Sequence, residues 1–243
     1  MEAMTIVIPN HNKGRYLQET LDSLVRQEDS NWYALVMDDG SSDDSRSILQ
    51  PYAGGAHPRI AVFFNQEQQG KARCMNRLVA LAPTDIIGEL DSDDVLAPDC
   101  VAAVLNAYRE SDSGFVYTNF TYCTPDLTPM GKGYCAAIPE GRTALELNCV
   151  SAFRTFRKSA LARTAGFDEG LASAIDKDLV YKLEEVTLPY FVDRQLYLYR
   201  MLRDSLSRGG DRLRQAEQNH EIVKARALAR RNGDPRAVRR TAR

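Results

Sequence analysis

The stretch TIVIPNHNKGRYLQETLDSLVRQ, residues 5–27, contains both kinds of element from which the first half of the chain is built. Its first five residues form a short apolar run rich in β-branched side chains, which is typical of a buried strand. Apolar side chains then recur at helical spacing on one face, namely Leu17, Leu21, Leu24 and Val25. The stretch therefore predicts a strand followed by an amphipathic helix.

The same alternation continues as far as about residue 120. Four more apolar runs predict strands: YALVM (33–37), IAVFF (60–64), IIGEL (86–90) and GFVYTNF (114–120). Helical spacing returns between them, for example from Met75 to Ala82 and from Val101 to Tyr108. Strands that alternate with crossover helices indicate an α/β fold, a Rossmann-like mostly parallel sheet with helices on both faces.

The alternation ends in the turn-rich segment TYCTPDLTPMGKGYC, residues 121–135. Beyond it the pattern predicts helices over residues 158–165 and 176–186, followed by a β pair made of YFVD and LYLYR. We therefore expect a small mixed region after the parallel sheet.

Composition excludes several classes of protein. The chain has 243 residues, of which 44% are hydrophobic and 26% charged, so it is neither a disulfide miniprotein nor a disordered tail. Five cysteines without a C-x-x-C pair favour reduced thiols. No apolar run approaches the roughly 18 residues of a membrane span, and the first residues lack the pattern of a signal peptide. These features predict a cytoplasmic protein.

Charge is distributed unevenly along the chain. Residues 203–243 carry 12 basic and 5 acidic side chains, whereas residues 1–202 carry 19 and 28. We expect a basic helical tail over 203–243, with its helix from near Asp211 to Arg231. Such a tail can meet the inner face of an anionic membrane, a nucleic acid or the acidic surface of the body, or it can be a solvated helix face. For the protein as a whole we expect no nucleic-acid partner.

Acidic residues follow two of the predicted strands. Strand two runs into MDDGSSDD (37–44) and strand four into LDSDD (90–94), while PNHN (9–12) ends strand one. The carboxyl ends of parallel strands open onto one crevice, so these side chains should converge. The converging carboxylates would be Asp38, Asp39, Asp91, Asp93 and Asp94.

Crowded carboxylates repel one another, and a hard divalent cation that also binds phosphate oxygens would compensate. The clusters therefore predict a metal that bridges the protein to a phosphorylated ligand. Turn and N-cap chemistry is the alternative explanation for each cluster. Neither G-x-G-x-x-G nor G-x-x-x-x-G-K-[ST] follows a strand, which argues against dehydrogenases and P-loop proteins.

Five segments, in order, resemble an inverting family 2 glycosyltransferase with a GT-A fold. They are TIVIPNHNKGRYLQETLDSLVRQ, VMDDGSSDDS, NQEQQGKARCMN, GELDSDD with its D-x-D, and AGFDEGLASAIDKDLVYKL. The resemblance covers roughly residues 4–205. It implies a GT-A domain over 1–202, with a nucleotide-binding half of about 1–120 and an acceptor half of about 121–202.

The resemblance also implies roles for the donor side. A UDP-sugar would be the donor, and a glycan or lipid-linked glycan the acceptor, as in polysaccharide biosynthesis. The implied donor-binding residues are Pro9 and Asn12 beside the base, Asp38 and Asp39 at the uracil, Lys71 and Arg73 near phosphate, and Asp91 at the ribose or sugar. Asp93 would ligate Mg²⁺ or Mn²⁺, with Asp94 in support.

The resemblance assigns the general base to Asp176, with Asp178 as the competing candidate. If a helix begins near Asp176, Asp178 points about 200° round it, so the two cannot both face the acceptor. A helix N-cap is the structural alternative for Asp176.

One departure from the family concerns the metal. Leu202 stands where the family commonly has a metal-binding His, so Asp93, diphosphate and water would have to suffice, or Arg200 and Arg203 would take over part of the charge. Two alternatives remain open: a catalytically impaired nucleotide-sugar-binding module of a polysaccharide assembly, and a nucleotidyltransferase.

Overall fold

The computed structural model describes residues 2–202 and 210–233. The strands are β1 (Met4–Asn10), β2 (Trp32–Asp39), β3 (Ile60–Asn65), β4 (Ile86–Glu89), β5 (Val95–Leu96), β6 (Phe115–Cys123), β7 (Pro129–Lys132), β8 (Arg154–Arg157) and β9 (Pro189–Arg200). The helices are α1 (Gly14–Val25), α2 (Ser45–Leu49), α3 (Lys71–Leu81), α4 (Cys100–Glu110), α5 (Ala144–Leu147), α6 (Lys158–Leu161), α7 (Ile175–Glu184) and α8 (Gly210–Arg230).

One sheet runs through the molecule in the order β3-β2-β1-β4-β8-β6-β9-β5, with β7 paired to β6. Strands β3, β2, β1 and β4 are parallel to one another, as the alternation predicts. Strand β8 is inserted antiparallel between β4 and β6. The sheet is therefore mostly parallel in its first half and mixed in its second.

Burial explains why the early strands are continuous apolar runs. Ile6, Val7 and Ile8 of β1 are all inaccessible to solvent, because helices cover both faces of a parallel sheet. The leucines of α1 are buried against this sheet, but Val25 at the end of the helix is 49% exposed, contrary to its assignment to the apolar face.

The second half differs from the predictions in several respects, which include the unpredicted short elements β7 and α5. The expected β pair is a single strand, β9, whose pairing with β6 shifts register around Asn119. The helix expected over 158–165 is only the four-residue α6. Strand β8 was not predicted, because its buried residues include Arg154 and Thr155, which interrupt the apolar pattern.

The basic helix α8 packs against α7, and its side chains Val223 and Ala227 are fully buried. Arg226 pairs with Asp168 at 2.6 Å, an exposed contact with the acidic body. The described part of the tail thus contacts the acidic surface of the body. This is one of the four environments that the sequence allows for a basic tail. Within the two described ranges, no helix is long and apolar enough to cross a membrane.

Candidate functional site

Parallel pairing brings the ends of β1 and β2 together at one edge of the sheet. Asn10 lies opposite Asp38 in the register, and its amide donates to Asp38 Oδ1 at 2.9 Å. Asp38 is fully buried and also accepts from the backbone N–H of Ser41 at 3.3 Å. The carboxylate therefore ties the turn after β2 to the end of β1.

The loop after β1 is fixed to the same turn. Asn12 adopts a left-handed conformation with φ 53°, and its Oδ1 accepts from the N–H of Ser42 at 2.8 Å. Its own N–H donates to Ser41 Oγ at 2.9 Å. Pro9 lies within β1 opposite Met37. Both predicted base-binding residues thus border the turn that carries the first aspartate cluster.

Asp39 lies at the end of β2 and is almost completely buried. Its carboxylate accepts from Asn65 Nδ2 and from the N–H groups of Gln69 and Gly70, each at 2.8 Å. Burial by itself raises the pKa of Asp39, but these hydrogen bonds together lower it below its usual value. Gly40 has φ +67°, and a Cβ there would lie 2.8 Å from the next loop's backbone, so this close approach requires glycine.

The D-x-D aspartates are paired with lysines from other elements. Lys71, at the start of α3, contacts Asp91, and Lys13, in the loop after β1, contacts Asp93 at 2.6 Å. Burial would raise the pKa of Asp91, but the ammonium of Lys71 beside it lowers that pKa below its usual value. The sequence predicted a phosphate-binding role for Lys71 but none for Lys13.

Asp94 occupies a buried position next to this pair. Its Oδ2 accepts from the hydroxyl of Tyr197 and its Oδ1 from the N–H of Arg200, each at 2.7 Å. Burial and the negative charges of Asp93 and Asp91 raise the pKa of Asp94 well above its usual value. The contacts show that Asp94 connects the D-x-D loop to β9.

Asp176 lies in the first turn of α7, and its side chain is 39% exposed. Its Oδ2 is 3.7 Å from Arg154 Nη1. Partial burial raises the pKa of Asp176, but the charges of Arg154, Lys177 and Lys71 together lower it below its usual value. Asp178 is buried on another side of the helix, where it pairs with Lys182 at 2.5 Å.

Two buried residues that sequence analysis missed lie between the donor-side and acceptor-side aspartates. Glu89 of β4 faces Arg154 of β8 across the sheet, and their Oε2 and Nη2 atoms are 3.2 Å apart. The positive charge of Arg154 lowers the pKa values of both Asp91 and Asp176. Glu89 immediately precedes the D-x-D segment, but no spacing in the sequence points to Arg154.

Two of the remaining predicted residues, Arg73 and Arg200, are engaged elsewhere. Arg73 pairs with Glu169 at 2.9 Å on the surface. Arg200 is buried, contacts Glu19 and stacks 4.8 Å from the ring centre of Tyr16. Leu202, in place of the family's histidine, is 4% exposed. Arg203 lies outside the described residues.

The chemistry of the cluster fits a divalent cation held jointly with a ligand. In the part of the chain that the structure describes, no three His, Cys, Asp or Glu side chains surround a possible cation position. Mg²⁺, however, is commonly held by one or two carboxylates together with substrate phosphates and water. Asp93 carries a carboxylate that already attracts a cation, the ammonium of Lys13, so it suits that arrangement.

The chain is similar to known glycosyltransferases. Residues 5–167 match the family model described as glycosyl transferase family 2. The chain is 33% identical to the chondroitin synthase of Escherichia coli over 184 residues, which cover 75% of this chain and 26% of the synthase. It is 30% identical over 129 residues to a putative teichuronic acid biosynthesis glycosyltransferase, TuaG, of Bacillus subtilis, covering 53% and 51% of the two chains.

Solved structures confirm the predicted GT-A fold. S. aureus TarS 1–349 in complex with UDP-GlcNAc superimposes with a TM-score of 0.75 at 18% identity, covering 94% of this chain and 66% of that one. A mannosyltransferase of Pyrobaculum calidifontis in complex with GDP-Man and Mn²⁺ gives 0.63 at 17% identity, covering 96% and 77%. The chain thus spans about a quarter of the chondroitin synthase's length and about two thirds of the TarS fragment.

Proposed function

Because this chain belongs to glycosyl transferase family 2, we propose that it transfers a sugar from a UDP-sugar to a hydroxyl of a glycan or lipid-linked glycan, with inversion. One observation carries the proposal. Arg154 Nη1 lies 3.7 Å from Asp176 Oδ2, and the charge of Arg154 also lowers the pKa of Asp91, so aspartates from two distant segments lie around one arginine. Such convergence at the carboxyl ends of strands is where an α/β sheet binds its ligand.

The chondroitin synthase, TuaG and TarS support the choice of substrates. The names of the first two refer to polysaccharide synthesis, and TarS was solved with UDP-GlcNAc. A hexosyl or N-acetylhexosaminyl group is therefore the proposed transferred sugar. The family match favours this function over a nucleotidyltransferase.

On the donor side, Asn12 and Asp39 would border the uracil, and Asp91 the ribose or sugar. Lys13 and Lys71 would meet the diphosphate, since each already lies against an aspartate of the D-x-D. A Mg²⁺ or Mn²⁺ ion held by Asp93 would neutralise charge on the departing diphosphate.

On the acceptor side, Asp176 would accept the proton of the attacking hydroxyl. That oxygen would approach the anomeric carbon from the face opposite the diphosphate, so an α-linked donor gives a β-linked product. An ionised carboxylate suits this role, and the lowered pKa of Asp176 keeps it ionised at neutral pH. Asp178 is disfavoured by its burial beside Lys182.

A thermal-shift screen of nucleoside diphosphates with and without Mn²⁺ tests the donor. We expect UDP to raise the melting temperature most, because a ligand that binds only the native state stabilises it by mass action. No shift with any diphosphate would contradict the proposal.

Transfer or hydrolysis of the UDP-sugar, compared between the natural chain and Asp176→Asn, tests the chemistry. We expect activity to fall by about 10² to 10⁴ with UDP affinity kept. Asp178→Asn is the matched control in the same helix. A natural chain that binds UDP but shows no turnover would favour the binding module, the alternative motivated by the buried Leu202.

A further inference from the structure

The pair formed by Glu89 and Arg154 has no role in the proposed donor or acceptor chemistry. The two side chains are 6% and 7% exposed and face each other on neighbouring antiparallel strands. Removing two charges from water is costly, and a buried ion pair often contributes little net stability compared with apolar residues. Its presence in the middle of the sheet therefore calls for a reason other than stability.

The hydrogen bonding of the pair is incomplete. Within the described residues, Glu89 Oε1 and Arg154 Nε are both buried without a hydrogen-bond partner. The second ion pair of the guanidinium runs from Nη1 to Asp176 Oδ2, at 3.7 Å. The positive charge of Arg154 is thus shared between the buried carboxylate of Glu89 and the partly exposed carboxylate of Asp176.

We propose that Arg154, held by Glu89, is a positioning residue that fixes the carboxylate of Asp176 in place and favours its ionised form. This inference rests on the proposed function, in which Asp176 is the general base. Glu89 orients the guanidinium and offsets part of its charge, so that Asp176 is held without losing its ability to accept a proton.

Other charged groups face Asp176, but each differs from Arg154. Lys71 is already paired with Asp91. Lys177 follows Asp176 on α7 and donates to the carbonyl of Val150 at 3.0 Å, and burial lowers its pKa. An arginine stays protonated throughout the working pH range, and in the described part of the chain Arg154 is the cation that forms an ion pair with Asp176.

Three further titratable side chains lie near Asp176 on the elements packed around it. Burial raises the pKa values of Tyr134 and Tyr181, and burial lowers the pKa of His220 on α8. All three are therefore uncharged at neutral pH. The neighbouring groups that carry charge near Asp176 at neutral pH are Arg154, Lys71, Lys177, Glu89 and Asp91.

The test is a direct titration of Asp176. The full chain is labelled with ¹³C at aspartate carboxyl carbons, and the resonance missing from Asp176→Asn identifies Asp176. Its pKa is measured by NMR in the natural chain, in Glu89→Gln/Arg154→Gln, in Arg154→Lys and in Glu89→Gln. The double variant removes both buried charges together and so leaves no unpaired ion behind.

We expect the pKa of Asp176 to rise by about one pH unit in the double variant. This is the low end of the shift that a neighbouring opposite charge causes, because the carboxylate of Asp176 is partly exposed. Arg154→Lys, which keeps the charge, should restore at least about half of that difference. Glu89→Gln should move the pKa downward, because the full charge of Arg154 then acts on Asp176. This single variant decides the matter if the double variant does not fold.

An unchanged pKa in the folded double variant, or an unchanged or raised pKa in Glu89→Gln, would overturn the inference. The acid limb of kcat/KM should move with the NMR value, whereas a purely structural role would lower activity equally at all pH values. Absence of Asp176-dependent turnover in the natural chain would defeat the proposed function alone, because the NMR titration does not depend on turnover.

Discussion

The carboxylate of Asp39 accepts three N–H hydrogen bonds in a buried position, which makes its contribution to stability dependent on pH. Its pKa in the folded chain is below the value of 3.8 that is ordinary for an aspartate. The stabilisation is therefore fully present above that value and is lost as the pH falls through the folded pKa.

Asp39→Asn should lower the free energy of unfolding by about 2 kcal/mol at pH 7, because hydrogen bonds to a charged acceptor are lost. Urea denaturation at pH 7 and at about pH 3 checks this, with the difference between the two chains narrowing at the lower pH. A difference that stays constant with pH would show that ionisation of Asp39 contributes nothing.

Asp93→Asn should remove the part of the UDP-induced thermal shift that depends on Mn²⁺, since a neutral amide is a poor ligand for a hard cation. Without ligand, stability should change by less than about 1 kcal/mol, because the partner of Asp93 is the partly exposed Lys13. Asp44→Asn is the control, because Asp44 is an exposed residue of the acidic segment 37–44. This variant should keep the full Mn²⁺-dependent thermal shift. Retention of the Mn²⁺ effect in Asp93→Asn would remove Asp93 from the metal site.

At the scale of elements, a buried arginine contributes to the contact between α7 and α8. Arg231, just after α8, donates to the carbonyl of Tyr181 at 3.0 Å and pairs with Glu184 at 3.1 Å. Glu184 is 2% exposed, and burial raises its pKa. The charged form of Glu184 is stabilised by Arg231 and by the backbone N–H of Ala144, which donates to Glu184 Oε1 at 2.7 Å.

Arg231→Met should lower the free energy of unfolding by about 3 kcal/mol, because it leaves the buried carboxylate of Glu184 without its charged partner. Arg226→Met is the matched control, since Arg226 is half exposed in its pair with Asp168, and it should cost less than about 1 kcal/mol. Denaturant unfolding of both variants gives the comparison. Equal losses would mean that burial of the pair is not what stabilises the contact.

For the whole molecule, the described part of the basic tail is part of the body rather than a separate appendage. Val223 and Ala227 belong to the same buried apolar cluster as the sheet. A chain that ends at Leu202 would expose the α7 surface that α8 covers.

Such a truncated chain should melt roughly 10 °C lower than the full chain, given about 2–4 °C per kcal/mol for a domain of this size. Differential scanning calorimetry of the two chains is the measurement. Identical melting temperatures would indicate that the packing of α8 adds no stability.

The first half of the fold and the location of the aspartate clusters at strand ends were predictable from sequence because their signals are local. Apolar periodicity in residues 5–27 predicts β1 and α1, and parallel strands bring the residues at their carboxyl ends to one edge of the sheet. The second half was harder to predict. In β8 the buried Arg154 replaces an apolar residue, and in β9 a register shift breaks the pattern into two apparent strands.

The amino-acid sequence was enough to predict the longer strands and helices of the first half, but not the short α2 and β5, together with the family and the aspartate clusters, since each of these signals is a local stretch of sequence. The cations that face those aspartates emerge only in the folded chain: Lys13 at Asp93, Lys71 at Asp91 and Arg154 at Asp176. The contact of the described tail helix with the acidic body emerges there too. The two residues of each pair lie in distant segments of the chain. No local sequence pattern identifies the partner, because the segments become neighbours only when the sheet forms.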